Sequence, residues 1–120
     1  MVYFKFIILA IILFYLIQRM FPAKGVRNIS TEELKNELKN KNKEFVDVRT
    51  QAEFKGNHIR GFKNIPLHQL NQKIKILSKE KEIIVICQSG MRSNKACKIL
   101  KKHGYKNVSN VKGGMNAWTY

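Results

Sequence analysis

Cysteine is nearly absent: Cys87 and Cys97 are the two in 120 residues. Two thiols ten positions apart, one at a loop and one on an expected helix, do not make the disulfide framework that staples a small secreted domain. His58, His68 and His103 are the only histidines. They show no spacing to the cysteines that would build a metal site, and no metal or organic cofactor is expected. Acidic residues are few, 8 against 23 Lys and Arg. That imbalance would suit nucleic acid or anionic lipid. What is missing is a compact basic block interleaved with aromatics. The lysines are scattered through "KNELKNKNKE", "SKEKE" and "KILKKHGYK". That is the pattern of a solvated surface, and no nucleic-acid partner is expected. Internal repeats and low-complexity segments are also lacking, and the length leaves room for one domain and little else.

One long hydrophobic run is present. "FIILAIILFYLI", Phe6 to Ile17, is twelve uninterrupted apolar or aromatic residues, and Val2 to Phe21 extends it to twenty with Lys5, Gln18 and Arg19 as interruptions. Twenty residues at ~1.5 Å each is about one bilayer crossing. A cleaved signal peptide needs a basic start and a small-x-small cleavage site, and "QRMFPAKG" offers none. A core helix needs a polar face, and this one is apolar all round. The expectation is an uncleaved single-span anchor over 1–21 that contacts membrane lipid. Arg19, Lys24 and Arg27 outweigh Lys5, which places the C-terminal part in the cytoplasm. Residues 22–28, "PAKGVRN", read as a linker, and residues 29–120 as one folded domain. Of the 23 Lys and Arg, four precede Asn28 and all 8 acidic residues follow it, so the domain carries a formal charge of +11.

Within the domain, strand-like and helix-like stretches alternate. "STEE" at 30–33 is a capping box opening a helix with Leu34 and Leu38 on one face. "EFVDVR" (44–49) reads as a strand, "TQAEFKG" (50–56) as a short helix and "KNIP" (63–66) as a brief extended piece. "LHQLNQKIKIL" (67–77) reads as a helix. "EIIVIC" (82–87) is the most apolar strand, as expected for a central parallel strand. "RSNKACKILKKHG" (92–104) reads as a helix with Ala96, Cys97 and Leu100 inward. "NVSNV" (107–111) is a last strand, followed by a turn and a short helix. The expected class is α/β with an open parallel sheet flanked by helices.

Cys87 ends the central strand, and sites in open α/β sheets form beyond the carboxyl ends of strands. "QSGMR" then turns into a helix beginning near Ser93. Successive backbone N–H groups in such a turn converge on one point, and the helix N-terminus adds positive potential. A thiolate there is stabilised and becomes a nucleophile. Gly90 permits the tight backbone, and Arg92 supplies a cation for an anionic substrate. A phosphate, an arsenate or a sulfur oxyanion would each suit. Cys97, mid-helix between Ala96 and Leu100, reads as a core residue.

"DVRTQAEFKGNHIRGFKNIP" (47–66), "CQSGMRS" (87–93) and "GYKNVSNVKGGMNAW" (104–118) together cover nearly the whole domain. On these motifs the segment from about Ile29 to Trp118 resembles a single-domain rhodanese, a sulfurtransferase. The resemblance implies that Cys87 takes the outer sulfur of an anionic donor such as thiosulfate. The resulting persulfide is cradled by Gln88, Ser89, Gly90, Met91, Arg92 and Ser93, and its sulfur passes to a low-molecular-weight or protein thiol. Related phosphatases and arsenate reductases have five residues between Cys and Arg, whereas Gln88 to Met91 are four, which fits a sulfane sulfur better. Gln88 stands where many active members carry arginine.

Asp47 and Arg49 end a strand near the loop and read first as an ion pair or hydrogen-bond hub, second as an aid to anion binding. Glu53 reads as a partner of Arg49 or of the helix dipole. His58 reads as structural, and His68 and His103 as surface residues. A low-turnover module that holds or senses persulfide, or docks a partner at the membrane, is the alternative function.

Overall fold

Alternating apolar strands and capped helices build a five-stranded sheet in a computed structural model that describes residues 2–20 and 25–119, apart from the side chains of residues 19 and 20. The strands are β1 (Arg27–Ile29), β2 (Lys43–Asp47), β3 (Lys63–Asn64), β4 (Glu82–Ile86) and β5 (Val108–Val111). Their order is β1-β5-β4-β2-β3, every pairing is parallel, and β4 is the middle strand. Side chains alternate across β4 as a strand requires. Ile83, Val85 and, just beyond the strand, Cys87 join one core, and Ile84 and Ile86 join the other. Both faces are covered, so the strand is apolar throughout.

The helices are α2 (Thr31–Glu37), α3 (Gln51–Gly56), α4 (Leu70–Lys73), α5 (Met91–Lys102) and α6 (Gly114–Ala117). Ser30 and Thr50 each cap a helix with a glutamate three residues on, Glu33 and Glu53, completing reciprocal capping boxes. α5 lays Ala96, Cys97 and Leu100 on the core that holds Cys87, while Leu34 of α2 packs into the opposite core.

Three expectations change. β1 begins within the stretch expected as a linker: Arg27 pairs in register with Ser109, and its guanidinium bonds Glu37 at 2.7 Å and Glu82 at 2.8 Å. The expected helix over 67–77 is α4 between two 3-10 turns, Leu67–Gln69 and Ile74–Ile76. The buried Tyr105 hydroxyl, 2.6 Å from the Ile74 carbonyl oxygen and 3.0 Å from that of Leu77, takes the end carbonyls in place of a further helical turn. The third concerns the N-terminal helix α1 (Val2–Met20). Among the described residues no helix is long and apolar enough to cross a membrane. The described side chains end at Gln18, and Lys5 limits the uninterrupted apolar run to Phe6–Ile17, short of the ~20 residues of a crossing. Residues 1 and 21 of the expected anchor, and 22–24 of the expected linker, lie outside the described residues.

Candidate functional site

The Cys87 side chain is fully buried at the carboxyl end of β4. Gly90 adopts φ +102°, a conformation glycine reaches without a Cβ penalty. This turns its N–H back onto Cys87 Sγ at 3.0 Å. Ser93, buried in the first turn of α5, places Oγ 3.2 Å from Sγ. The same Oγ lies 2.5 Å from Asn110 Oδ1 and 3.1 Å from the Gly90 carbonyl oxygen. Asn110 Nδ2 donates to that Gly90 oxygen at 3.3 Å. Asn110 is a buried amide on β5, next to β4. Its signal in the sequence is a polar pair, Ser109 and Asn110, between the valines of "NVSNV".

Carbonyls of the loop are drawn away from the sulfur. The Met115 and Asn116 N–H groups of α6 each donate at 2.9 Å, to the carbonyl oxygens of Cys87 and Gln88. Gly114, at φ +57°, makes this approach possible: a Cβ there would overlap the Cys87 oxygen and come within 2.8 Å of the Gln88 oxygen. The glycine pair at 113–114, a turn in the sequence, is thus the clamp on the loop.

Gln88 and Arg92 of the loop are committed to partners inside the protein. Arg49 is buried and grips Asp47, with Nη2 2.9 Å and Nε 3.1 Å from Oδ2. It also donates to the Asn57 carbonyl at 2.7 Å and to Gln88 Oε1 at 3.4 Å. Asp47 and Arg49 therefore form the hydrogen-bond hub that their positions suggested, and the hub reaches the loop. Gln88 is held from its other end too, Nε2 donating to Asn116 Oδ1 at 2.6 Å. Arg92 is paired with Glu53 in a two-point contact, Nη1 to Oε1 at 2.7 Å and Nη2 to Oε2 at 2.9 Å. Glu53, expected as a partner of Arg49 or of the helix dipole, caps the start of α3 and meets Arg49 only through its backbone oxygen at 3.4 Å. The Arg92 hydrogen bonds, supported by those from Thr50, overcome the burial penalty and hold the Glu53 carboxyl at about 2. The same contact raises the Arg92 guanidinium. Ser89 and Met91 are exposed at the mouth, Met91 at 72 %.

Cys97 is also fully buried, and burial, aided by charge at Cys87, pushes its thiol up to about 12. His58 Nδ1 lies 2.9 Å from the Phe54 carbonyl and its ring stacks on Phe54, which fixes the turn after α3. His68 and His103 are exposed. Among the described residues no group of three or more His, Cys, Asp and Glu could hold a metal ion. Beside the loop a cavity of about 380 Å³ is walled by Val48, Pro66, Leu67 and Ile99, with Arg92 and Lys95 at its polar side.

A buried thiol at the carboxyl end of the middle strand, wrapped by a loop that runs into a helix, defines an α/β protein of the cysteine-loop class. The chain belongs to the rhodanese-like domain family, whose model matches residues 30–120. It is 31% identical over 109 residues to the protein YqhL of Bacillus subtilis, covering 91% of this chain and 85% of that one. It is 36% identical over 73 residues to a sulfurtransferase of Allochromatium vinosum, covering 61% of this chain and 68% of the relative. Among solved structures, a rhodanese-like domain protein from Staphylococcus aureus superposes with a TM-score of 0.73 at 35% identity, covering 78% of this chain and 92% of that one.

Proposed function

We propose that the protein is a sulfurtransferase that carries sulfane sulfur as a persulfide on Cys87. The observation that carries this reading is the Gly90 N–H donating to Sγ at 3.0 Å, with the Ser93 hydroxyl 3.2 Å from the sulfur and able to turn to it. Donors so placed favour the thiolate and then the persulfide anion. In the first displacement the Cys87 thiolate attacks the outer sulfur of the donor, and the donor's remainder leaves with the bonding pair. In the second, a low-molecular-weight or protein thiol takes the outer sulfur and releases the Cys87 thiolate. Thiosulfate, which would leave as sulfite, is one donor this chemistry accepts. The relative named a sulfurtransferase supports the reading, as does the four-residue span from Cys87 to Arg92. Phosphate transfer is disfavoured because Arg92 is already occupied by Glu53.

The test is the intact mass of purified protein after exposure to thiosulfate or a persulfide. A gain of one sulfur atom, removed by reductant and absent in Cys87→Ser, is expected, and no gain from any donor defeats the reading. The full burial of Cys87 favours one second reading, a slow persulfide-holding module. Turnover with cyanide or a thiol acceptor separates the two.

The same reading extends to location. Val2, Phe6, Leu9 and Phe14 of α1 are each more than half exposed, and a helix apolar all round is poorly matched to water. A membrane location would cover this surface, with the domain proposed to lie in the cytoplasm. Recovery of the full chain in the soluble fraction, or an extracytoplasmic signal from a reporter fused after Tyr120, would overturn it.

A further inference from the structure

The loop's cation has an internal competitor. Arg92 is the loop residue best placed to bind an anionic donor, and its guanidinium senses charge at Cys87. Both ends of its fork are nonetheless taken by Glu53 at 2.7 and 2.9 Å. A two-point pairing of this kind is the geometry by which arginine would otherwise grip a sulfonate. No other group at the mouth offers the same two-point fork. Gln88 is neutral and fastened between Arg49 and Asn116. Arg49 is buried against Asp47. Lys95 is exposed on the next turn of α5. The cavity beside Arg92 offers an apolar wall of Val48, Pro66, Leu67 and Ile99 alongside the polar Thr50, His68, Asn71 and Lys95.

Resting on the sulfurtransferase reading, we propose that Glu53 sets donor specificity: by holding Arg92 it withholds the loop cation from small sulfur oxyanions and leaves the site selective for alkyl persulfides. The step balances without an external oxidant or reductant. The Cys87 thiolate attacks the terminal sulfur of R–S–SH, the new Sγ–S bond forms as the donor's S–S bond breaks, and R–S⁻ leaves with the electron pair. The charge moves from Cys87 to the departing thiolate, which takes its proton from water. No sulfonate is present to need Arg92, and the carbon body of the donor has the cavity wall to lie on. Thiosulfate attack, by contrast, gathers three negative charges beside a carboxylate.

The test compares single-turnover sulfur loading of full-length protein by thiosulfate and by 2-hydroxyethyl persulfide, a donor with no sulfonate. Glu53→Gln keeps the Thr50 capping box, because glutamine serves at that position. It removes the negative charge from Arg92. The expected result is a rise of about tenfold in thiosulfate loading, the lower end of what a charge-assisted hydrogen bond contributes, with persulfide loading changed less than about twofold. Inhibition by sulfate, an inert oxyanion, should strengthen in parallel. Adding Arg92→Ala to Glu53→Gln should cancel the thiosulfate gain, which a merely structural role of Glu53 would not predict. An unchanged donor ratio in Glu53→Gln, or a gain that survives loss of Arg92, overturns the inference while leaving Cys87 loading intact. Absence of loading by both donors in the wild-type protein defeats the sulfurtransferase reading itself.

Discussion

The Ser93 hydroxyl lies 2.5 Å from the Asn110 carboxamide oxygen and 3.2 Å from the Cys87 sulfur. A hydroxyl has one hydrogen to donate, and Ser93 has three acceptors in reach: Asn110 Oδ1, Gly90 O and Sγ. With a thiol at Cys87, the S–H can point to Ser93 Oγ while the hydroxyl points to Asn110. A thiolate has no hydrogen, so the hydroxyl must turn to the sulfur. Ser93→Ala should therefore slow sulfur loading about tenfold, as expected for one hydrogen bond to a charged group. Single-turnover loading followed by mass spectrometry measures this, and an unchanged rate would remove Ser93 from the mechanism.

Reactivity should be confined to one of the two thiols. The Cys97 thiol, pushed up to about 12 by burial, stays protonated through the physiological range. At pH 8 an alkylating reagent should label Cys87 alone, and Cys97→Ala should retain most sulfur loading while Cys87→Ser retains none. Equal loss in both variants would make Cys97 a resolving thiol.

The contact between Glu53 and Arg92 should persist well into acid. Glu53 is lowered from 4.5 to about 2, chiefly by the Arg92 hydrogen bonds. Its folded-state value lies below its unfolded one, so the contribution is complete above about 4.5 and fades as pH falls towards 2. A carboxyl-detected NMR titration should place the Glu53 midpoint near 2. A midpoint at the ordinary glutamate value would mean that Arg92 is free in solution.

Asp47→Asn should act mainly on stability. It leaves Arg49, 1% exposed, as an uncompensated buried cation. Breaking such a pair costs about 3–5 kcal/mol, which for a domain of this size lowers the thermal midpoint by roughly 12 °C or more. Calorimetry checks it, and a midpoint within a few degrees of wild type would show the pair to be dispensable.

Gly114→Ala should disrupt the loop clamp. The added Cβ meets the Cys87 and Gln88 carbonyl oxygens, backbone atoms that cannot swing away, at a residue with φ +57°. Overpacking costs on the order of 1–3 kcal/mol, and the left-handed backbone adds about 1–2 kcal/mol. Thermal unfolding should show the drop. Normal stability with normal loading would mean that α6 does not need its close approach.

Much of the fold was legible in one dimension because its signals are local. Apolar "EIIVI" declares a strand covered on both faces. Ser30 with Glu33 declares a helix start. The shift from strand to loop at Cys87 declares the site. β1 was not legible: "RNI" is short and half polar, and becomes a strand only by bonding β5. α4 with its two flanking turns was not legible either, since the Tyr105 hydroxyl that ends it comes from 28 to 31 residues away.

The sequence by itself determined the class, the alternating elements, the position of the thiol and the four-residue loop, each carried by neighbouring residues. Only the tertiary structure decided how the charges are spent. From the sequence, Arg92 is a cation awaiting an anion, and arginine at position 88 looks like a simple gain of charge. In the fold, Glu53 crosses from α3 to occupy Arg92, and the side chain at 88 faces the Arg49 guanidinium at 3.4 Å. Asn110 reaches Ser93 only because β5 lies beside β4. The physical reason is distance. Hydrogen bonds and ion pairs act over a few ångströms in space, and these partners, 17 to 39 residues apart along the chain, meet only when the sheet brings their strand and helix ends together.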